Sequence, residues 1–336
     1  MTANKEPRPT QRTIAAAAGI SVGTVSRALS NDPLIAAETR ELVHRLAAEL
    51  GYSPDRAAQR LRTGRTNVIC LVLSPHDEIL GFGTSVVRGI TQALKETPYH
   101  LVVMPDFEGS EAEEAIARLV RNKMADGVIF SRTTPHDSRV RYLLEADFPF
   151  VCHGRTELAT PHPWVDFDNF DFARRAGIQL SEQGAKRLAI LLPPERFTFR
   201  NFLLDGVLSA VKVTGVAYEQ IQDVTLDSDG AEIETAIRAR FSDKVWPDGL
   251  ILPGETSALA ALAALQDLGL RPGEDVHLVA KQTSGVFGFV RPRVPSLTED
   301  LTAAGVAMAE LLLRRIEGAP AETLTYLQPL TETSCS

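Results

Sequence analysis

Cysteine is scarce in this chain of 336 residues, which has three, at Cys70, Cys152 and Cys335. Because they are far apart and odd in number, they argue against a disulfide framework or a zinc site and favour a reducing cytoplasm. No apolar run is long enough to cross a bilayer, and the first residues lack the apolar stretch of a secretory signal. We therefore expect a cytoplasmic protein that has no membrane partner and no bound metal or cofactor.

Motifs of several enzyme classes are also missing. No Gly-x-Gly-x-x-Gly follows a predicted strand, and neither a phosphate-binding loop nor His-Glu-x-x-His occurs. Asp166 and Asp168 are two residues apart in a short connection, and a glycosidase needs two carboxylates that face one bond. We expect that the protein is not an enzyme.

Charge is distributed unevenly along the chain. The net charge is −8, yet residues 1–66 hold ten Arg or Lys against six Asp or Glu, which leaves −12 on the remainder. A basic N-terminal segment attached to an acidic body fits a small domain that faces nucleic-acid phosphates. The same excess is also compatible with an ordinary solvated surface.

The stretch 10–30 predicts two helices joined by a tight turn. An alanine-rich run ends at Gly19, which suits the left-handed position that closes a helix. Ser21 suits the N-cap of the next helix. This is the helix-turn-helix arrangement, whose second helix presents its first residues to a major groove. A third helix is predicted over 38–50.

The second helix carries the predicted base-reading side chain. Arg27 is the candidate, since arginine can bond guanine through two nitrogens. Thr24 and Ser26 are expected to bind phosphates, whereas Val22 and Gly23 offer apolar or backbone contact. The alternative is that these are ordinary exposed helix residues. The full predicted set of DNA-contacting residues is Thr10, Ser21, Val22, Gly23, Thr24, Ser26, Arg27, Arg56, Ala57, Arg60 and Leu61.

Residues 54–66 predict a short basic helix between Pro54 and Gly64. It is too short to be stable alone in water, and it carries one isolated leucine, Leu61. A helix that folds against DNA, with Leu61 as a wedge in a minor-groove step, accounts for both features. The alternative is a solvated linker with an exposed leucine.

Four segments of residues 10–66 carry a family resemblance. They are Gly19-Ile-Ser-Val-Gly-Thr-Val-Ser-Arg-Ala-Leu29, Glu38-Thr-Arg40, Leu50-Gly-Tyr-Ser-Pro54 and Leu61-Arg-Thr-Gly-Arg-Thr66. Together they resemble the LacI family of bacterial transcription regulators. The resemblance implies a homodimer, with a tetramer also open, that binds two half-sites of a near-palindromic DNA operator. It also implies a hinge helix whose leucine enters the central step. Ala36 departs from the pattern, which usually has a Ser or Thr cap there, and this should weaken the third helix by about 1 kcal/mol.

From residue 67 onward, apolar strand-like runs alternate with helical stretches, which predicts doubly wound α/β layers. The body is large for one sheet, so we expect two lobes, and the resemblance implies a fold similar to periplasmic sugar-binding proteins. The predicted strands are Val68–Leu73, His100–Met104, Gly127–Phe130, Phe150–His153, Leu188–Leu192, Gly249–Leu252 and Val276–Val279.

The predicted architecture is an N-terminal all-α helix-turn-helix domain with a hinge helix, followed by a two-lobed α/β effector domain. Helices 83–94 and 301–316 are apolar enough to form a dimer face. The predicted boundaries are 1–54 for the DNA-binding domain, 55–66 for the hinge and 67–336 for the body, divided into 67–164 with 298–322 and 165–297 with 323–336.

An effector site is predicted at the carboxyl ends of the strands, where ligands collect in open α/β sheets. Carboxylates, amides and arginines near aromatic rings suit the hydroxyls and C–H faces of a sugar. Asp168 and Asn169 could equally cap the following helix, His153 could be structural, and Arg132 and Arg155 could be surface charges. The predicted effector-binding residues are Phe82, Arg132, His153, Arg155, Asp166, Asp168, Asn169, Arg200, Asn201, Glu255, Lys281 and Gln282.

The body departs from the family pattern at three places. Gly254-Glu255 stands where Asn-Asp often follows a strand, and Ala280-Lys281-Gln282-Thr283 stands where Gly-Phe/Tyr-Asp-Asp is frequent. Leu203 replaces a usual arginine. The effector should therefore differ from those of well-known members. Arg155 and the segments 164–169 and 281–284 look similar to a subgroup that responds to α-glucosides and related carbohydrates.

These observations predict a repressor that a small carbohydrate releases from its operator. Two alternatives stay open: a regulator that needs a co-repressor, and a sugar-binding protein that does not bind DNA.

Overall fold

The computed structural model describes residues 9–52, 64–73, 81–105 and 110–332, with the backbone alone at 110, 111, 331 and 332. The chain divides into two compact units, Met1–Thr66 and Asn67–Ser336, which we call the head and the body. The predicted hinge helix and the predicted DNA contacts Arg56, Ala57, Arg60 and Leu61 lie outside the described residues. None of the helices in the described ranges combines the length and apolarity needed to cross a membrane.

The described part of the head has three helices, α1 (Gln11–Ala18), α2 (Val22–Leu29) and α3 (Ala37–Glu49). Gly19 adopts φ +66° at the end of α1, a conformation that glycine reaches without strain. The Oγ of Ser21 accepts the backbone N–H of Thr24 at 3.1 Å. The predicted helix-turn-helix is therefore confirmed, including the residues that end one helix and cap the next.

A small apolar core joins the three helices. Ile14, Val25 and Val43 are each fully buried, one from each helix. Ala36 has no side-chain hydrogen bond to the start of α3, so the weak cap expected from the sequence is present in the structure.

The described part of the body contains two six-stranded sheets. The strands are β1 (Val68–Leu73), β2 (His100–Pro105), β3 (Gly127–Ser131), β4 (Phe150–His153), β5 (Trp164–Phe167), β6 (Arg187–Ile190), β7 (Ala217–Gln220), β8 (Gly249–Leu252), β9 (His277–Gln282), β10 (Ser296–Thr298), β11 (Thr325–Gln328) and β12 (Thr331–Glu332). The first sheet has the order β11-β5-β4-β3-β1-β2 and the second β12-β10-β9-β8-β6-β7. All pairings are parallel except that of β12 with β10. Each sheet is the centre of one lobe.

Helices cover both sheets, as the predicted doubly wound layers require. They are α4 (Phe82–Leu94), α5 (Ser110–Arg121), α6 (Ser138–Glu145), α7 (Asn169–Glu182), α8 (Thr198–Thr214), α9 (Gly230–Phe241), α10 (Glu255–Asp267) and α11 (Leu301–Ile316). Buried residues of β8 and β9, among them Leu250 and Leu278, pack with α9 and α10 residues in one apolar cluster.

The seven strands expected from apolar runs are present, and five more accompany them. One of these, β11, belongs to the first sheet through its pairing with β5, whereas the sequence assigned 323–336 to the second lobe. That assignment is wrong for residues 325–328, whereas β12 pairs with β10 in the second sheet as assigned. The predicted boundary at 164 is also too early, because residues 165–167 of β5 belong to the first sheet. β11 is an edge strand in which three of four residues are exposed, so it carries no apolar run that would reveal its position.

Helices α4 and α11 pack against each other in the first lobe. A Cβ added at Gly89 would collide with the carbonyl oxygen of Thr302, and one at Gly305 with that of Val86. Ile90 and Met308 are buried in the same apolar cluster. These two faces are therefore covered within one chain, and the dimer face expected from these helices stays a prediction for their remaining faces.

Three segments connect the lobes, after β5, β10 and β11, and hydrogen bonds join them. The N–H of Asp168 donates to the carbonyl of Gln328 at 3.1 Å. The side-chain amide of Gln328 donates to the carbonyl of Asp300 at 2.8 Å. These crossings bring the carboxyl ends of the two sheets to opposite sides of one cleft.

Candidate functional site

A small cavity lies in the cleft and draws on both lobes. Its walls combine two phenyl rings with hydroxyl, amide, imidazole and charged groups. The lining residues are Phe82, Ser131, Arg132, Thr133, His153, Gly154, Asp166, Asn169, Phe199, Lys281 and Glu299. Most of them lie in the last two residues of a strand or just after its end, as expected for a ligand site in an α/β protein.

Asp166 and Arg155 form an ion pair at the floor of the cleft. The Nε of Arg155 lies 2.7 Å from Oδ2 of Asp166, and the guanidinium lies 3.9 Å from the ring centre of Phe202 on α8. Burial raises the pKa of Asp166 above its ordinary value, against the opposing effect of the charge on Arg155. The pair thus holds a carboxylate in a site that disfavours charge.

Lys281 and Glu299 form a second buried pair. Their Nζ and Oε2 atoms are 2.7 Å apart, with 5% and 3% of the side chains exposed. The Nζ of Lys281 also lies 5.3 Å from the ring centre of Phe167. The chain therefore neutralises this cation itself.

Apart from the ion-paired Glu299, two described side chains of the cavity wall have a polar atom without a hydrogen-bond partner. Nε2 of His153 and Oδ1 of Asn169 make no hydrogen bond to any described residue, and Nε2 is 3.7 Å from Oε1 of Glu299, too far for one. The amide nitrogen of Asn169 donates to the carbonyl of Phe167 at 3.3 Å, which fixes the carbonyl oxygen as the group left over. Buried polar atoms are normally satisfied, so these two indicate where a ligand binds.

The lobes contact each other at the rim. Arg132, with φ +58°, extends from the end of β3 to Asp227 in the second lobe, and its guanidinium lies 4.1 Å from the ring centre of Phe197. The carbonyl of Thr133 accepts the N–H and the hydroxyl of Thr198 at 3.0 and 3.1 Å. The cleft is thus partly closed.

A buried pair that the sequence did not reveal supports this rim. Asp137 and Arg139 are 2.8 Å apart and nearly inaccessible. The Nη2 of Arg139 donates to the carbonyls of Ser131 and Arg132 at 3.2 and 3.1 Å. This pair positions the backbone from which Arg132 extends. No sequence motif could have marked it, because its function depends on the neighbouring strand end.

The structure brings together half of the predicted effector residues. Phe82, Arg132, His153, Asp166, Asn169 and Lys281 line the cavity, and Arg155 supports it through Asp166. Glu299 was missed because β10 has three residues and no apolar run. Glu299 directly follows β10. It would have been among the predicted residues if β10 had been recognised as a strand.

Other predicted residues have partners elsewhere. The buried carboxylate of Glu255 accepts four hydrogen bonds, from the N–H and hydroxyl groups of Thr283 and Ser284, at 2.8 to 3.1 Å. Asp168 caps α7 by accepting the N–H of Asp171 at 2.9 Å, which is the alternative left open above.

Three more of the predicted residues lie away from the cavity lining. Arg200 bonds Gln220 at 3.2 Å, and Asn201 bonds Glu157 at 3.5 Å. Gln282 accepts the hydroxyl of Ser296 at 3.4 Å. We therefore leave these three, together with Glu255 and Asp168, out of the effector contacts proposed below.

The head presents a second candidate surface at the start of α2. Ser21, Val22 and Gly23 are exposed, Thr24 and Ser26 are half-buried, and Arg27 is exposed. The buried residues of α2 are Val25 and Ala28, so the candidate DNA contacts lie largely off the core face. Thr10 precedes α1 and is exposed, with its N–H bonded to Thr13 Oγ1 at 3.1 Å. Among the described residues, no group of His, Cys, Asp and Glu could hold a metal ion.

Comparisons with known proteins cover both units. Residues 10–55 match the family model "Bacterial regulatory proteins, lacI family", and residues 66–323 match "Periplasmic binding proteins and sugar binding domain of LacI family". The HTH-type transcriptional regulator CelR of Thermobifida fusca is 32% identical over 94% of each chain.

Solved structures agree with this assignment. A complex of transcriptional regulator CelR with cellobiose is 29% identical, with a TM-score of 0.68 over 97% of this chain and 98% of that one. The Lac repressor dimer bound to operator and the anti-inducer ONPF has a TM-score of 0.81 over 97% of each chain. At 22% identity, this second likeness establishes the fold.

Proposed function

The chain belongs to the LacI family of bacterial regulatory proteins, and we propose that it is a repressor released from a near-palindromic operator by an uncharged carbohydrate. DNA binding and regulation follow from membership of the family. The repressor role, the dimer that two half-sites require and the chemistry of the effector are our proposals. The observation that supports the choice of effector is that two polar atoms of the cavity wall, Nε2 of His153 and Oδ1 of Asn169, have no hydrogen-bond partner among the described residues.

The charges of the cleft favour an uncharged ligand. Each arginine or lysine side chain that lines the described cavity already has a carboxylate partner, as does the supporting Arg155. A phosphorylated or acidic sugar would have to displace a carboxylate or bury a further negative charge, and burying an unpaired charge is costly. The pairs are Arg132–Asp227, Arg155–Asp166 and Lys281–Glu299.

The unpartnered atoms favour hydroxyl groups. Oδ1 of Asn169 accepts but cannot donate, so its partner must carry a hydrogen. A hydroxyl supplies one, whereas a fully ionised phosphate does not. Phe82 and Phe199 add apolar faces on which the C–H side of a sugar ring can pack. These features together match a polyhydroxylated, uncharged ring.

Two disaccharides are the natural probes. Cellobiose is bound by the CelR protein of the solved complex, and maltose represents the α-glucosides suggested by the sequence. Binding in the cleft stabilises one relation of the two lobes over another, and this changes operator affinity. By thermodynamic linkage, the operator changes effector affinity by the same factor.

The test uses the full chain with duplexes selected from a random pool. Fluorescence anisotropy at fixed salt compares a selected duplex with a scrambled one, because salt alone shifts affinity strongly. We expect tighter binding to the selected duplex, lowered by cellobiose or maltose and unchanged by glucose 6-phosphate. Equal affinity for all duplexes, insensitive to every carbohydrate, would contradict the proposal. A sugar that raises the affinity would indicate a co-repressor.

Two asparagines in the same lobe give a matched pair of variants. Asn169→Leu removes the unpartnered acceptor, and Asn201→Leu makes the same change away from the cavity lining. We expect Asn169→Leu to lose the carbohydrate response while it still binds the selected duplex. Asn201→Leu should keep both. The opposite pattern would place the effector at the start of α8.

Leu61 remains a prediction from the sequence. If it is a wedge between base pairs, Leu61→Ala should weaken binding to the selected duplex and leave binding of the disaccharide unchanged. Isothermal titration with the sugar and anisotropy with the duplex measure the two effects separately. If Leu61→Ala binds the selected duplex as tightly as the wild type, Leu61 is not a wedge between base pairs.

A further inference from the structure

Arg27 at the end of α2 is held by an acid from the following loop. Its Nε lies 2.8 Å from Oδ2 of Asp32. The other carboxylate oxygen of Asp32 accepts the N–H of Leu34 at 2.9 Å, and the N–H of Asp32 donates to the carbonyl of Arg27 at 3.1 Å. One hydrogen bond to the carboxylate and one from the backbone of Asp32 therefore fix this residue in addition to its contact with the guanidinium.

This contact leaves a defined part of the guanidinium available. Nε is engaged, whereas Nη1 and Nη2 make no hydrogen bond within the described residues of the head. Half of the Arg27 side chain is exposed. Recognition of guanine needs two donors that face O6 and N7 together, and the two terminal nitrogens supply such an edge. Fixing the side chain beforehand reduces the conformational freedom lost on binding.

We infer that Asp32 is a positioning residue for base reading, which holds Arg27 so that its terminal nitrogens meet one guanine in each half-site. The inference rests on the proposed function, because it requires that α2 enters a major groove. Asp32, a loop residue that itself contacts no base, would then determine part of the sequence preference of the head.

The inference predicts two effects of opposite sign. A carboxylate on a DNA-facing surface weakens attraction to phosphates, so its removal should strengthen binding to any duplex. Removal should also release Arg27 and weaken the preference for guanine. A residue that served only the fold of the loop would not separate affinity from preference in this way.

Asp32→Asn isolates the contact. Its remaining oxygen can still accept the N–H of Leu34, while the new amide nitrogen opposes the Nε donor of Arg27. Glu49→Gln removes the same charge from an exposed position in the last turn of α3 and is the matched control. Arg27→Ala and the double variant Arg27→Ala with Asp32→Asn complete the set.

The measurement is the affinity of the full-length variants for the selected duplex and for duplexes with each base pair changed in turn. We expect Arg27→Ala to lose about tenfold or more of the preference at one base pair per half-site. Asp32→Asn should lose about two- to fivefold at the same base pair. The double variant should lose no more than Arg27→Ala, and Glu49→Gln should keep the full preference.

The inference is overturned if Asp32→Asn behaves like Glu49→Gln, or if it sharpens the preference, because Asp32 would then hold Arg27 away from the base. A loss at base pairs that Arg27→Ala does not affect would overturn it as well. A wild-type protein without any base preference overturns the proposed function itself, and this is established before a variant is made.

Discussion

The head and the body arrange their functional groups in opposite ways. In the head, the described candidate contacts of α2 fall within residues 21–27 and are mostly at the surface. In the body, the cavity residues run from Phe82 to Glu299 and include carboxylates and a lysine buried in pairs. Substitution of a candidate contact should therefore change function without changing stability in the head, whereas it should change both in the body. A buried charge needs its partner whether or not a ligand is present.

The largest effect that would sharpen this comparison is expected at Arg155. Arg155→Ala leaves Asp166 buried without its cation, which should lower the free energy of unfolding of the body by about 3–5 kcal/mol. Arg27→Ala breaks an exposed pair and should change head stability by less than about 1 kcal/mol. Urea unfolding combined with hydrogen exchange, resolved into head and body peptides, measures both. Equal losses of stability in the two variants would show that charged contacts stabilise the head and the body to the same extent.

The pH dependence identifies the cause of the loss at Arg155. Because burial raises the folded-state pKa of Asp166, protonation favours the fold. Its contribution to stability is therefore greatest at low pH and is lost as pH rises through the folded-state pKa. Without Arg155 this pKa rises further, so the deficit of Arg155→Ala should be smaller at pH 5 than at pH 8. The double variant Arg155→Ala with Asp166→Asn has no carboxylate at this position. It should regain the stability that Arg155→Ala loses, and the part of the pH dependence that comes from Asp166 should disappear.

Two helical glycines give the next contrast. A Cβ at Gly89 would collide with the backbone of α11, which cannot rotate away, so Gly89→Ala should destabilise the body by about 1–3 kcal/mol. A Cβ at Gly23 would lie 3.7 Å from Oγ of Ser21, an ordinary contact. Gly23→Ala should therefore stabilise the head by about 0.5–1 kcal/mol.

The control for both glycines is Gly288→Ala, where nothing lies within 4 Å of an added Cβ. It should change the free energy of unfolding by less than about 0.5 kcal/mol. A loss at Gly23 as large as that at Gly89 would mean that the head is packed as tightly as the body.

The same contrast explains how far the sequence could be interpreted. The ends and caps of α1 and α2 depend on neighbours a few residues away, so Gly19 and Ser21 were sufficient to predict them. The buried strands of the body were predictable because they are continuous apolar runs. The edge strand β11 and the three-residue β10 have no such run, and their positions are determined by pairing with distant strands.

The cleft residues show more clearly what could not be predicted from the sequence. His153 and Lys281 could be proposed because each ends a predicted strand or lies next to one. Whether such a group meets a ligand or a partner depends on what the neighbouring strand ends, in the same lobe or the other, supply. Glu255 illustrates this, because it has the expected position at the start of α10 yet binds Thr283 and Ser284. Asp227 carried no signal, since its partner Arg132 is in the other lobe.

The smallest predicted effect concerns the missing cap of α3. Ala36 has an extended ψ of 142° and no side-chain bond to the first turn, so Ala36→Ser supplies a hydroxyl that can accept the N–H of Glu38 or Thr39. We expect a gain of about 1 kcal/mol, seen as slower hydrogen exchange in head peptides and unchanged exchange in the body. Ala48→Ser makes the same change at an exposed position inside α3, where serine is a poorer helix former than alanine. A gain at both positions would show that the hydroxyl acts without capping, whereas a gain at Ala36 alone would show that the head can be stabilised by one local hydrogen bond.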